Sequence, residues 1–176
     1  MLGEHHPSLD REFALGPLLA STGFAANMTP LFNTEHSVPQ SWFDKQQPMR
    51  ADLHALFTAE PGCNTNRSNL PFGENGDTSG ADCGLRRGNS FEPARNKGAV
   101  ARATFYFLSR YPGVVSARDL PPESLAVLLK WHEDEPPSLW EKHRNQEIAK
   151  IQGNRNPFID RPEWARSIDF TLGLSR

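Results

Sequence analysis

The 176-residue sequence holds no apolar run near the roughly 20 residues that a bilayer-spanning helix requires, so a soluble chain without a membrane anchor is expected. Cysteine is almost absent, with only Cys63 and Cys83, twenty positions apart. The pair could close a disulfide across a glycine-rich loop, worth about 3 kcal/mol and implying an oxidising compartment, or remain as two thiols. Half a zinc site is the third option, disfavoured because no histidines stand at finger spacing. A large excess of one charge is also missing. With 19 Lys and Arg against 21 Asp and Glu the formal net charge is −2, which excludes a uniformly basic nucleic-acid coat. Met1-Leu2-Gly3-Glu4-His5-His6-Pro7 shows no cationic stretch leading into an apolar one, so no secretory leader is legible there.

The chain does hold 37% hydrophobic residues, with 11 Phe and 4 Trp, enough for one domain with its own core. Glycine and proline are abundant, 13 and 15 residues, which points to a loop-rich fold. Charge is unevenly spread. Residues 1–60 carry three basic side chains against seven acidic ones, whereas residues 85–111 carry six (Arg86, Arg87, Arg95, Lys97, Arg102, Arg110) against Glu92 alone. Residues 137–176 are also net positive, seven against five. Such blocks can line a cationic track beside an acidic pocket, or simply form a solvated face.

Residues 1–30 show no sustained period. Leu31 to Val38 reads as an extended run ending at Pro39, a residue that disfavours helix at the position before it. Glu35 and His36 would then point to opposite sides. Arg50 to Phe57 fits helix or strand equally, Pro61-Gly62 reads as a break, and Asn64 to Asn69 as the start of a short helix. Residues 72–90, with five glycines, read as a long mobile loop. Helices are plainer beyond this point: Lys97 to Tyr111 by its apolar spacing, a second opening at Pro121-Pro122-Glu123, and a third from Ser138 to Gln152 stopped by Gly153.

The chemistry concentrates between Asn33 and Asn69. Glu35 and Asn64 offer the oxygen ligands that Mg2+ prefers, and that ion needs only one or two protein groups. His36 can accept a proton from water near neutral pH if a backbone carbonyl holds its other ring nitrogen. Arg67, three residues beyond Asn64, shares a helix face with it and could hold a phosphate. Each signal alone is weak. A Glu-His pair is usually a surface feature, Asp52 with His54 usually a structural hydrogen bond, and Asn64 usually a turn residue.

In this order, however, the segments resemble the endonuclease I family of bacterial periplasmic and extracellular nucleases, of the ββα-metal or His-Me finger group. The resemblance rests on Asn33-Thr34-Glu35-His36 with Val38-Pro39-Gln40-Ser41-Trp42-Phe43, on Pro48-Met49-Arg50 with Asp52-Leu53-His54, and on Asn64 with Arg67-Ser68-Asn69. Lys97-Gly98-Ala99-Val100-Ala101-Arg102-Ala103, Trp131-His132, Glu141 with His143-Arg144-Asn145 and Gln152-Gly153-Asn154-Arg155-Asn156-Pro157 extend it to about residue 166. It implies an α+β fold with a ββα-metal core, extra helices and long loops over residues 31–170, preceded by an unmatched segment at 1–30. It also implies a magnesium-dependent endonuclease, with Ca2+ or Mn2+ as alternatives, that cuts DNA and often RNA with little sequence preference and leaves 5′-phosphate and 3′-hydroxyl ends.

By that resemblance Glu35 and Asn64 are metal ligands, His36 the general base and Arg67 a second catalytic residue. Asp52 and His54 would support them from behind, Leu53 to Phe57 would form the second strand, and Arg50, Arg95, Lys97, Arg102, Arg144 and Arg155 would meet nucleic acid. A secreted or periplasmic monomer is expected. Two departures touch the site: Ala55 stands where many relatives carry His or Asn, and no clear counterpart exists for an arginine that some relatives use on the product phosphate. Lys45, Arg50 or Arg67 would have to substitute. These departures motivate a competing reading, a nucleic-acid-binding module without turnover; a hydrolase of small phosphoesters is a weaker third.

Overall fold

The computed structural model describes residues 32–175, so the expected separate segment at 1–30 lies outside the described residues. Strand β1 (Asn33–His36) pairs antiparallel with β2 (Leu56–Ala59), placing Glu35 opposite Phe57 and His36 opposite Leu56. The connection between them is three single 3-10 turns, Gln40–Phe43, Met49–Ala51 and Leu53–Ala55, so the second strand starts at Leu56 and not at Leu53 as expected. The reason is local. The Asp52 carboxylate accepts from the His54 amide and caps the Leu53–Ala55 turn, which keeps those residues out of the ladder.

Helix α1 (Pro61–Arg67) follows β2 directly, beginning at the Pro-Gly pair that reads as a break in sequence. Glu60 overrides that reading by accepting from the Cys63 amide as an N-cap, while Pro61 sits at the first helical position, where its missing N–H costs nothing. Part of the expected loop at 72–90 is also ordered. Strands β3 (Gly84–Arg87) and β4 (Ser90–Pro93) form a hairpin that turns at Gly88, held at φ 56°, and Asn89.

The remaining elements are helical apart from a short closing pair. Helices α2 (Lys97–Arg110) and α4 (Leu139–Gln152) lie close to their expected bounds, α3 (Pro122–Asp134) opens where expected, and a short helix α5 (Pro157–Asp160), not expected from the sequence, follows. A two-residue strand β5 (Val115–Ser116) pairs in parallel with β6 (Leu174–Ser175) and ties the end of the described chain to the helices. No helix among the described residues is long and apolar enough to cross a membrane. The mixture of helices with small two-stranded sheets is α+β, as expected.

Helix α2 runs through the middle of the core. Ala101, Ala103, Phe105, Tyr106, Phe107 and Leu108 are buried on several of its sides, against Leu125, Leu128 and Trp131 of α3 and against Phe158 and Phe170. Phe105 stacks on Phe170 with centroids 4.2 Å apart. At the start of α2, Gly98 lets the chain pass so close to Glu135 that an added Cβ would lie 2.4 Å from its carbonyl oxygen. Helix α4 opens with a reciprocal capping box between Ser138 and Glu141 and ends at Gly153, whose φ of 82° provides the left-handed stop.

Candidate active site

Pairing of β1 with β2 puts Glu35, Phe57 and Ala59 on one face of the ribbon, and α1 packs beside that face. Glu35, Asn64 and Arg67 line a single cavity of about 530 Å3 between the ribbon, α1, the β3–β4 hairpin and the first turn of α2. The Asn64 side chain donates from Nδ2 to the Thr34 carbonyl at 3.2 Å, which leaves Oδ1 as the atom available for a ligand. Glu60 and Asp82 line the same cavity, so three carboxylates face two arginines, Arg67 and Arg95.

Arg67 is the strut of this arrangement. It is buried, and its guanidinium donates to Glu35 Oε1 at 2.9 Å, to the His36 carbonyl at 3.0 Å and to the Ser37 carbonyl at 2.8 Å. It also lies 4.7 Å from the ring centroid of Phe72. A cation so committed holds β1 against α1 while still lining the cavity. Burial pushes the Glu35 carboxyl above the usual carboxylate range, and the Arg67 charge opposes that shift.

His36 leaves the ribbon on the opposite side, as strand alternation requires, and is not among the residues lining the cavity. Its Nε2 lies 3.0 Å from the Arg50 carbonyl, the contact that makes Nε2 the protonated nitrogen and leaves Nδ1 with a lone pair. Gln40, which no sequence signal singled out, approaches Nδ1 through its amide at 3.4 Å. Burial lowers the His36 pKa, the Arg50 carbonyl opposes this, and the Arg50 and Arg67 charges add to the lowering. The lowering favours the neutral imidazole, the form that can accept a proton. Of the three residues weighed from sequence as substitutes for that arginine, Lys45 and Arg50 are exposed, Arg50 with its carbonyl on the His36 ring, and Arg67 is buried.

Asp52 and His54 are buried. The Asp52 carboxylate accepts from the Tyr106 and Tyr111 hydroxyls at 2.7 Å each, from Gln152 Nε2 at 2.8 Å and from the His54 amide at 3.0 Å. His54 Nε2 lies 3.0 Å from the Asn154 carbonyl. The two tyrosines and Gln152 were not legible as partners, because they lie 54 to 100 positions away in sequence. Ala55 is fully enclosed in the core, and its carbonyl accepts from the Ser37 amide at 2.9 Å. It is not among the residues lining the cavity that holds Glu35 and Asn64.

The cationic track is only partly available. Arg102, at 1% exposure, pairs with both carboxylate oxygens of Glu141 at 2.7 and 2.9 Å and has no surface for nucleic acid. Arg144 is half-buried. It donates to the Leu53 and Leu56 carbonyls and lies over the rings of Phe57 and Trp140 at 5.2 and 5.7 Å, so it latches α4 onto the ribbon. Arg102 is thus taken up by an interior carboxylate and carbonyl, which removes it from the expected track, while Arg144 is engaged with interior carbonyls. Lys97 pairs with Glu92 at 2.6 Å, and Arg155 clasps Asp160 at 2.7 Å on the surface. Arg50, Arg86, Arg87 and Arg95 are exposed. Cys63 and Cys83 form a disulfide that joins α1 to β3 beside Asn64, with Cα atoms 5.0 Å apart.

Residues 18–163 match the family described as Endonuclease I. The chain belongs to the endonuclease I family. Among proteins similar to this family member are an extracellular ribonuclease of Bacillus amyloliquefaciens, 39% identical over 132 residues, and one of Bacillus subtilis (strain 168), 36% identical over 155 residues. These alignments cover 66% and 78% of this chain but 46% and 54% of the relatives, so the endonuclease I segment here spans about half their length. An extracellular deoxyribonuclease of Aeromonas hydrophila is 28% identical over 177 residues, covering 84% of this chain and 75% of that protein.

Proposed function

We propose that this chain is a metal-dependent endonuclease that hydrolyses phosphodiester bonds of DNA and RNA with little sequence preference, leaving 5′-phosphate and 3′-hydroxyl ends. The observation that carries the reading is the convergence of Glu35 and the Asn64 amide on one cavity, with His36 fixed at the end of the strand that bears Glu35. Relatives named as ribonucleases and as a deoxyribonuclease support both polymers as substrates.

The donor set fits a hard divalent cation. It is a carboxylate with one oxygen unclaimed by Arg67, plus an amide whose nitrogen is already used, in a cavity with more carboxylates than arginines. Mg2+ held by Glu35 and Asn64, or Ca2+ or Mn2+ in its place, would supply Lewis-acid stabilisation of the charge on the phosphate and the departing 3′ oxygen. The protein's own groups do the rest. His36 Nδ1 takes the proton of the attacking water, with Nε2–H kept on the Arg50 carbonyl so that the tautomer is fixed. Since His36 and Glu35 emerge on opposite sides, the scissile phosphate must lie across the end of β1. Exposed Arg50, close enough to depress the His36 pKa, is then the cation for a phosphate oxygen.

Exposed Arg86, Arg87 and Arg95 on and beside the β3–β4 hairpin provide sequence-independent attraction for the polyanion. The disulfide, and relatives named extracellular, support a secreted or periplasmic setting, with the protein acting as a monomer. Ala55, one of the two motives for the binding-only alternative, is a core residue that does not line the cavity.

The test is relaxation of supercoiled plasmid. Mg2+ should support nicking, a chelator should stop it, and His36→Ala should abolish it while the variant still melts cooperatively and still retards DNA. A folded His36→Ala protein with wild-type turnover would remove the base assignment, and plasmid retarded but never cut by the wild type would restore the binding-only reading.

A further inference from the structure

A second cavity, of about 320 Å3, adjoins the first and has no part in the chemistry described above. Two chain segments wall both. Arg67 and Phe72 line the Glu35 cavity while Asn69 and Pro71 line the other, and on the hairpin Phe91 lines the first while Asn89, at the turn, lines the second. The two segments are stitched together where the Phe91 amide donates to the Pro71 carbonyl at 2.9 Å and the Gly73 amide to the Phe91 carbonyl at 3.1 Å. The rest of the second cavity comes from Ser41 and Trp42 of the Gln40–Phe43 turn and from Arg118 and Asp119 after β5. That turn is the one that meets His36: Gln40 approaches Nδ1, and the Phe43 ring centroid lies 6.5 Å from the imidazole centroid. The second cavity thus adjoins the His36 side of β1, as the first adjoins the Glu35 side.

Its lining is mostly polar and holds one cation. Arg118 is exposed, and among the described residues no carboxylate forms an ion pair with it. Asp119 is the opposing charge, but its Oδ2 already accepts from Ser116 Oγ at 2.7 Å. We propose that this cavity binds one backbone phosphate of the substrate strand, the one next to the scissile phosphate on its 3′ side, with Arg118 as the cation and the exposed Asn69 and Asn89 amides as further donors. The inference rests on the nuclease reading above and deepens it by giving the strand a direction. In that reading the metal engages the departing 3′ oxygen, which belongs to the upstream nucleotide, so the upstream strand lies on the Glu35 side. The downstream strand, which keeps the 5′-phosphate, then runs out on the His36 side. A guanidinium beside amide donors suits phosphate oxygens, and a contact to the backbone carries no sequence information, in keeping with little sequence preference.

The experiment uses the wild-type protein with Mg2+ and an end-labelled DNA duplex in which one phosphate at a time is replaced by an uncharged methylphosphonate, so that cleavage is read bond by bond. Neutralising the phosphate one position 3′ of a bond should slow cleavage of that bond about 10-fold, with a smaller effect from the phosphate one position 5′. Arg118→Ala should lower kcat/KM about 10-fold, chiefly through KM, and in chelator should flatten the slope of log affinity against log salt by about 1. In that variant the 3′ methylphosphonate should add nothing further, because the contact it removes is already gone. Asp119→Asn, which keeps an acceptor for Ser116 and removes the neighbouring negative charge, should tighten binding about 2- to 5-fold. Arg166→Ala is the control: that arginine pairs with Glu133, lines neither cavity, and its loss should leave KM and the methylphosphonate pattern as they are.

A methylphosphonate scan with no minimum at the 3′ position, or an Arg118→Ala protein with wild-type KM and salt slope, overturns the phosphate subsite and leaves the nuclease reading standing. Weaker binding by Asp119→Asn means that the occupant is not an anion and overturns it as well. A folded wild-type protein that cuts no DNA in any form overturns the nuclease reading itself.

Discussion

The ribbon and turns of residues 32–93 and the helices of residues 97–175 are built on different physics. In the second region apolar side chains at helical spacing bury one another: Phe105, Phe107, Leu108, Leu125, Leu128 and Trp131 lie within one cluster. The first contributes Val38, Phe43, Met49, Ala55, Leu70, Phe72 and Phe91 to that same cluster, but its short elements are held in addition by polar side chains reaching backbone groups. Arg67 takes two carbonyls of residues 36–37, Asn64 takes that of Thr34, and Arg144 takes those of Leu53 and Leu56. A region that must leave oxygen and nitrogen atoms free for chemistry cannot wrap them in hydrocarbon. It is joined to the helical region by shared apolar contacts such as Phe43 on Phe107 and Phe72 on Trp131, and by a few charged and amide groups.

The junction between the regions is Asp52, and removing it should have the largest effect on stability. Asp52→Ala would strip one acceptor from the Tyr106 and Tyr111 hydroxyls, Gln152 and the His54 amide at once, and should cost about 4–5 kcal/mol in urea unfolding. Loss of less than about 1 kcal/mol would mean that the regions are joined mainly by apolar contact.

Slightly smaller is the effect expected deep in the helical region. Arg102→Ala should cost about 3–4 kcal/mol by leaving Glu141 buried without its partner, and the paired change Arg102→Met with Glu141→Leu should recover most of it. Neither change should alter affinity for DNA at fixed salt in the folded fraction. A drop in affinity specific to the paired variant would return Arg102 to the cationic track and blur the distinction between the regions.

Lowering the pH loads both regions together, with a gentler slope. Burial depresses the pKa of His54 and of His132 from 6.5, so folding favours their neutral forms. Their contribution is complete above the unfolded value of 6.5. It is lost as the pH falls below that value toward the depressed folded values, because the unfolded chain then binds protons that the folded chain refuses. Melting temperature should decline from about pH 6.5 downward, and the decline should be shallower in a stable His132→Gln variant. A melting temperature flat across that interval would show that neither ring is held neutral by the fold. The smallest effect is expected at the capping box: Ser138→Ala should cost about 1 kcal/mol and leave turnover per folded molecule unchanged.

Legibility follows the same division. Helices α2, α3 and α4 were readable within a few residues, since their caps and apolar spacing are local: Pro122 at the first turn, Ser138 with Glu141, and Gly153 at the stop. Helix α1 was misjudged at its start because Pro61-Gly62 reads as a break unless the Glu60 cap is seen. The β3–β4 hairpin was passed over as loop although Gly88-Asn89 sits at its turn. Within the site, the segments carrying Glu35, His36 and Asn64 could be picked out by their likeness to a family. The enclosure of Arg67, Arg102 and Arg144 could not, because a charge pattern along a chain does not reveal which cations face inward.

The residue types at 33–69, the helical periods beyond 97 and the pairing potential of two cysteines were properties of the sequence by itself, because they depend on neighbours within a few positions or on simple inventory. Which arginines became struts, that Asp52 would gather four donors, and that Glu35 would share one cavity with Asn64, Arg67 and the Cys63–Cys83 disulfide were decided only by the tertiary structure. Each of those facts joins atoms that are tens of residues apart, and burial, which sets the energy of a charge or a hydrogen bond, exists only once the chain has folded.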